Sequence, residues 1–181
     1  MTCPTLAGVV RQHAAERPGH TWMEFEGRTV SYAELGERTD RVAAGLLAAG
    51  VAPTEDGAGR VAVLAKNHPA TLELLIGAAK CGAVGLPVNW RLAAPEVSYI
   101  VGHSRATVLV VGPEFVETVL KIEPELPEVT TILQLGSPGH YPSYEEWLAQ
   151  QPAEDPGHQD GPDDVILQLY TSGTTGLPKG V

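Results

Sequence analysis

The sequence predicts an α/β fold: a layered, largely parallel sheet flanked by helices. Two observations predict it. From Arg60 onward, short apolar runs alternate with segments whose apolar residues fall at helical spacing: VAVLA (61–65), AVGLPV (83–88), ATVLVV (106–111) and TTILQL (130–135). Strand–helix–strand alternation is the pattern of βαβ units, in which helices cover a parallel sheet. The runs also lack polar alternation, as strands buried on both faces do.

Each element has its own signal. Residues 5–17 read as a helix stopped by Pro18-Gly19, and MEFEGRTVSY reads as a hairpin turning at Glu26-Gly27. Ser31 and Glu34 form a capping box before a helix marked by Tyr32, Leu35, Thr39, Val42, Ala43 and Leu46, with Gly50 ending it. Pro69 opens the next helix, which places Leu72, Leu75, Ile76 and Ala79 on one face, with Gly82 closing the segment. Pro87 confines the 83–88 strand to a sheet edge or a strand end. A helix containing Val97, Ile100 and Val101 starts at Pro95, and a second covers 114–121. Ser143 and Glu146 cap a short helix ending near Leu148. AQQPAEDPGHQDGPDD (149–164), rich in proline, glycine and acid, reads as an exposed linker. VILQLY (165–170) reads as a strand running into the last loop.

Composition excludes several classes of function. The 181 residues suit one domain, and 22 acidic against 12 basic residues give a net charge of −10. That balance argues against nucleic acid or an anionic membrane as partner, since both require a basic face. Cys3 and Cys81 are far apart and in no metal-ligand spacing, which fits a reducing compartment. The N-terminus has no basic stretch before an apolar one, so it does not read as a signal peptide. The most apolar window, LLIGAAKCGAVGLPV, is broken by Lys80 and glycines and is too short to be a transmembrane segment. A cytoplasmic location is expected. The sequence carries no signal of oligomeric state.

The last loop is where the chemistry concentrates. In YTSGTTGLPKGV (170–181), Gly173, Gly176 and Gly180 let the backbone approach a ligand closely. Thr171, Ser172, Thr174 and Thr175 add hydroxyls, and Lys179 adds a compact positive charge. Exposed N–H groups in such a loop form an anion-binding concavity. The set is all donors with no acid, and a polyphosphate uses every one of them. A salt-bridged phosphate at about 4 Å gains on the order of 4 kcal/mol at a surface-like dielectric, enough to overcome the overall charge locally. The loop is not a Walker A motif, because Lys179 follows Pro178 and precedes Gly180.

TSGTTGLPKG (171–180) resembles the phosphate-binding signature of the adenylate-forming (AMP-binding) superfamily, which includes acyl-CoA synthetases, peptide-synthetase adenylation domains and luciferases. SYAELGERTDRVAAGLLAAGV (31–51) looks like the family's early helix. The stretch NHPATLELLIGAAKCGAVGLPVNWRLAAPEVSYIVGHSRATVLVV (67–111) is most like the fatty-acyl-CoA synthetase branch. The resemblance covers residues 1–181 and implies the incomplete N-terminal part of an AMP-binding domain, with a linker at about 149–164 and a phosphate-binding loop at 171–180.

The resemblance also implies a two-step reaction. A carboxylate attacks the α-phosphate of ATP, giving an acyl-adenylate and pyrophosphate, and a thiol, usually that of coenzyme A, then displaces AMP. It assigns Thr171, Ser172, Gly173, Thr174, Thr175, Gly176 and Lys179 to the phosphates of ATP. Lys179 takes a catalytic role on the leaving pyrophosphate, and Thr171 reaches a bridging Mg²⁺. The implied partners are ATP, a carboxylic acid (a fatty acid by the upstream segment, with aryl-acid and peptide-synthetase branches open) and CoA. The family continues for several hundred residues more, so the 181 residues are expected to be an N-terminal piece, inactive alone, with the end of the loop frayed. The alternative is a non-catalytic nucleotide- or partner-binding truncated paralogue or pseudoenzyme.

Four further patterns carry no function. GHSRA (102–106) nearly matches a serine nucleophile elbow, but a strand follows Ser104 where an elbow needs a helix. GAGRVA (57–62) has its glycines before a strand rather than after one. The six histidines, His68, His103 and His158 among them, show no metal spacing and are expected at the surface or at helix caps. Trp90-Arg91 is expected to serve packing and a structural salt bridge.

Overall fold

The apolar runs assemble as their lack of alternation requires, into one parallel sheet covered on both faces. The computed structural model describes residues 5–51, 53–54, 57–161, 163–171 and 178–181. α1 (Leu6–Glu16) starts at Thr5, whose hydroxyl accepts from the Gly8 N–H at 3.2 Å. β1 (Thr21–Phe25) and β2 (Arg28–Ser31) pair antiparallel around Glu26 and Gly27, at φ +48° and +79°. Two consecutive positive φ values give the turn twist that matches a two-residue hairpin. α2 (Tyr32–Ala48) is capped by Ser31, whose Oγ accepts from the Glu34 N–H at 3.2 Å. Glu34 turns its own carboxylate to Arg28, so one half of the expected capping box forms. A two-residue ribbon, β3 (Pro53–Thr54) with β4 (Gly57–Ala58), leads into the sheet.

The sheet holds β5 (Arg60–Leu64), β6 (Val84–Val88), β7 (Val108–Val111) and β8 (Thr131–Gln134), in the order β6-β5-β7-β8 and all parallel. β6 is an edge of it, as Pro87 demands. The connecting helices are α3 (Pro69–Lys80), α4 (Ala94–Ser104) and α5 (Val116–Ile122), with α6 (Tyr144–Ala149) after β8. Alternate strand residues serve two cores. Val61, Val63, Val108 and Val110 pack against α2, α3 and α6, while Ala62, Leu64, Leu109 and Val111 pack against α4 and α5. The chain therefore leaves β5 toward one face and its neighbour β7 toward the other. Open sheets of this kind bind ligands at the carboxyl ends of such strands.

The expected apolar face of α3 is corrected at one position: Leu72 is exposed, whereas Glu73 and Lys80 are buried to 2% and 1% exposure. The reason is ion pairing with α2. Arg38 grips Glu73 with two bonds of 2.7 and 2.9 Å, and the Tyr144 hydroxyl adds a third at 3.0 Å. Lys80 Nζ meets Asp40 at 2.6 Å and the Gly36 carbonyl at 3.2 Å. A second correction concerns Ser143. It stands at the N-cap of α6 but makes no capping bond and instead donates to the Gly136 carbonyl at 3.3 Å.

The acidic segment departs from a free linker. Ala149 belongs to α6, and Asp155 lies against α1, held by Arg11 Nε at 2.5 Å and Nη2 at 2.7 Å. Thr5 donates to Asp160 at 2.8 Å. Burial pushes the Cys81 thiol up to about 11, which makes it inert at neutral pH. No helix among the described residues is long and apolar enough to cross a membrane.

Two predictions follow from this packing. At Gly77 an added Cβ would lie 2.3 Å from Val42 Cγ1 and 3.1 Å from the Thr39 carbonyl, so α2 and α3 meet with no space to spare. Gly77→Ala is expected to destabilise the protein by about 1–3 kcal/mol despite alanine's better helix propensity. Chemical denaturation measures this, and a higher midpoint in the variant would contradict the packing. The second concerns Asp155, whose carboxyl is held below its ordinary range by the hydrogen bond from Arg11, against the opposing effect of burial. A depressed carboxyl stabilises the fold above its unfolded value near 4, and that contribution is lost as pH falls through the lower folded value. Between about pH 5 and about pH 2, wild type should therefore lose more stability than Asp155→Asn.

Candidate phosphate-binding site

The site begins with the docking of 165–171 on the sheet edge. The Gly85 N–H donates to the Ile166 carbonyl at 3.0 Å, and the Gln168 N–H donates to the Gly85 carbonyl at 3.0 Å. The expected strand 165–170 is therefore an edge segment with one parallel bridge, Gly85 to Leu167. Its side chains alternate, with Ile166, Gln168 and Tyr170 half-buried and Val165, Leu167 and Leu169 exposed. Arg60 Nε fixes the Gln168 side chain at 2.7 Å.

β9 (Tyr170–Thr171) then pairs antiparallel with β10 (Lys179–Gly180), with Thr171 opposite Lys179 and Tyr170 opposite Gly180. Leu169 and Val181 exchange both backbone bonds, at 3.0 and 2.7 Å. This overturns the expected fraying, because the far side of the loop is anchored by its own near side. Thr171 and Lys179 are both exposed and share one face of the ribbon. Ser172, Gly173, Thr174, Thr175 and Gly176, also expected in the site, lie outside the described residues. Gly180 also meets a packing constraint. An added Cβ would lie 2.6 Å from Gln168 Nε2 and 3.2 Å from Tyr170 Cζ, so the cross-strand glycine leaves room for the Gln168 side chain and the Tyr170 ring.

Beside the ribbon opens a cavity of about 820 Å³ at the carboxyl ends of β5 and β6. Thr171 and Pro178 line it, together with Phe25, Lys66, His68 and Trp90. His68 caps α3, its Nδ1 accepting from the Ala70 N–H at 3.2 Å, in line with the capping role expected of a histidine. The Arg91 guanidinium stacks on the Trp90 ring at 4.1 Å, and Lys66 Nζ stands 5.8 Å from the same ring. Lys66 also pairs with Glu114 at 3.2 Å. The Glu114 carboxyl is lowered first by its own backbone N–H and then by Lys66. Among the described residues Arg91 stacks rather than forming the salt bridge expected of it.

The patterns set aside behave as ordinary structure. Ser104 ends α4 and donates to the Val101 carbonyl at 2.8 Å, and Arg105 at φ +58° turns the chain toward β7. No group of three or more His, Cys, Asp or Glu among the described residues could hold a metal ion. Sequence reasoning missed the cavity wall and the contact of Tyr170 with His103, whose Nδ1 lies 2.7 Å from the Tyr170 hydroxyl. Nothing in a single sequence signals a bond spanning so many positions.

Comparison with known proteins agrees with this architecture. Residues 10–181 match the AMP-binding enzyme family, and the chain belongs to it. It is 43% identical over 178 residues to the fatty acid–acyl-carrier-protein ligase ScoC of Streptomyces coeruleorubidus, covering 98% of this chain and 32% of that protein. It is 38% identical over 176 residues to the indoleacetate–CoA ligase of Aromatoleum aromaticum, covering 97% of this chain and 34% of the relative. The crystal structure of the anthranilate CoA ligase AuaEII in complex with anthranoyl-AMP superposes with a TM-score of 0.88 at 26% identity, over 97% of this chain and 34% of that one. The chain spans about a third of the length of the curated relatives it matches.

The close approach at Gly180 gives a test of the ribbon. In Gly180→Ala the Gln168 side chain must move and the Tyr170 ring must give by a few tenths of an ångström. Amide exchange at Leu169 and Val181 is then expected to speed up by about fivefold, the equivalent of roughly 1 kcal/mol. Unchanged protection at both amides would show that the ring does not pack across Gly180.

Proposed function

We propose that this chain supplies the triphosphate grip of an ATP-dependent acid–thiol ligase. The observation that carries the reading is the placement of Thr171 and Lys179, opposite each other and exposed, at the carboxyl edge of the sheet. In the first step a carboxylate oxygen attacks the α-phosphorus, the bond to the β-phosphate bridge breaks, and pyrophosphate leaves. Lys179 neutralises the charge that grows on that leaving group, and Thr171 donates to a phosphate oxygen. Ser172, Gly173, Thr174, Thr175 and Gly176 are assigned to the β- and γ-phosphates through the signature they complete. In the second step a thiol attacks the acyl carbon and AMP departs.

The donor set suits this ligand. The segment 170–181 contains hydroxyls, backbone amides and one ammonium, and no carboxylate. Mg²⁺, a hard cation that takes oxygen ligands, suits a hydroxyl-lined site, and Thr171 Oγ1 would be the protein group that holds it. When bound, the ion supplies further neutralisation of phosphate charge. A fatty acid is the substrate class that similarity to ScoC favours, CoA or a carrier-protein thiol is the acceptor, and a reducing cytoplasm is the compartment.

The test is Lys179→Ala in the intact protein, assayed by ATP–pyrophosphate exchange over a panel of fatty and aryl acids. Exchange is expected to fall by about 100-fold or more, while acid affinity changes less than about threefold. Exchange at the wild-type rate would overturn the assignment.

A further inference from the structure

We infer that His103 and Tyr170 form a positioning clasp that fixes Thr171 and Lys179 for phosphate; the inference rests on the triphosphate reading above. A ribbon with two residues on each side is marginal in water on its own, so it needs a dock. Its two faces are used differently. Thr171 and Lys179 occupy one, Tyr170 and Gly180 the other. The second face is the docked one. His103, in the last turn of α4, places Nδ1 2.7 Å from the Tyr170 hydroxyl and its ring edge-on to the phenol, centroids 5.8 Å apart. Tyr99, one turn earlier, stacks on His103 at 5.3 Å and holds the imidazole in place. On the other side the absent Cβ of Gly180 leaves room for the phenol ring.

Burial and the neighbouring Tyr99 push the Tyr170 phenol above its ordinary range, so it keeps its proton at neutral pH. A protonated phenol bonds Nδ1 in either ring tautomer, donating to it or accepting from it. Tyr170 is joined by one peptide bond to Thr171, and Thr171 is the cross-strand partner of Lys179. A phenol free to swing would release the ribbon's docked face, and both phosphate donors would lose their fixed direction. The clasp acts through these residues and touches no phosphate itself.

The test is calorimetric binding of Mg·ATP and of inorganic tripolyphosphate to the intact protein and to Tyr170→Phe, His103→Ala, His103→Asn and Lys179→Ala. Tyr170→Phe and His103→Ala are expected to weaken both ligands by about five- to tenfold, the value of one hydrogen bond. The thermal midpoint should move by no more than about 4 °C. His103→Asn, whose side-chain oxygen stands where Nδ1 does, should restore binding to within about twofold, a rescue that a merely structural role does not predict. If Tyr170→Phe and His103→Ala bind as wild type does while Lys179→Ala binds weakly, the clasp is refuted and the triphosphate reading stands. If wild type and Lys179→Ala bind alike, that reading falls and the clasp with it. Should His103→Ala fail to fold, Tyr170→Phe, which removes a single oxygen, decides alone.

Discussion

The pair of backbone bonds between Leu169 and Val181 closes the ribbon on which the candidate site depends. Those bonds set Thr171 directly across from Lys179. A lysine on a flexible stem carries a large entropy cost when it is ordered around a ligand, and a fixed backbone lowers what remains to be ordered. The ribbon is aimed by the next contact inward, where Gly85 on the edge strand pairs with both Ile166 and Gln168. Pro87 keeps β6 at an edge, and an edge is what leaves Gly85 free to receive that segment. The path from the sheet to the donors is thus a short chain of backbone bonds, with few soft torsions in it.

Behind the sheet, the α2–α3 contact holds the other wall of the cavity. Glu73 and Lys80 are charged and almost wholly covered, which is tolerable only because Arg38, Tyr144 and Asp40 meet them. Removing one partner of such a buried pair costs about 3–5 kcal/mol, since the other charge is left stranded. These pairs also fix α3 against α2 in one register. His68 caps α3 and lines the cavity, so the register of a structural interface sets the position of a cavity wall.

Much of the fold was legible in the sequence, because the signals were local. Apolar runs, helical spacing, Pro69 and Pro87, and the Glu26-Gly27 turn each act within a few residues, and apart from Leu72 and the 165–170 run they appear where expected. What was not legible depends on distant partners. The burial of Glu73 and Lys80 requires knowing that Arg38 and Asp40 stand opposite. The exposure of Leu72 follows from that choice of face. VILQLY reads as a strand by composition, yet its partners are single distant residues, Gly85 for Ile166 and Gln168 and Val181 for Leu169, and Val165, Leu167 and Leu169 stay exposed. The residue types of the candidate site were readable from TSGTTGLPKG, but the return pairing of Lys179 and Gly180 was not, nor the docking of Tyr170 on His103.

Family membership and fold agree that the chain belongs to the AMP-binding enzyme family, and the proposed role of the ribbon is consistent with that membership. An acidic chain must gather cationic and hydrogen-donating groups in one place to hold a polyphosphate, and 170–181 is the stretch proposed for that role. The most direct measurement is a crystal structure of the intact protein with ATP. The account predicts β- and γ-phosphate oxygens within about 3 Å of Thr171 Oγ1 and Lys179 Nζ. Phosphates seated instead among Lys66, Trp90 and Arg91, with Lys179 pointing to solvent, would contradict it.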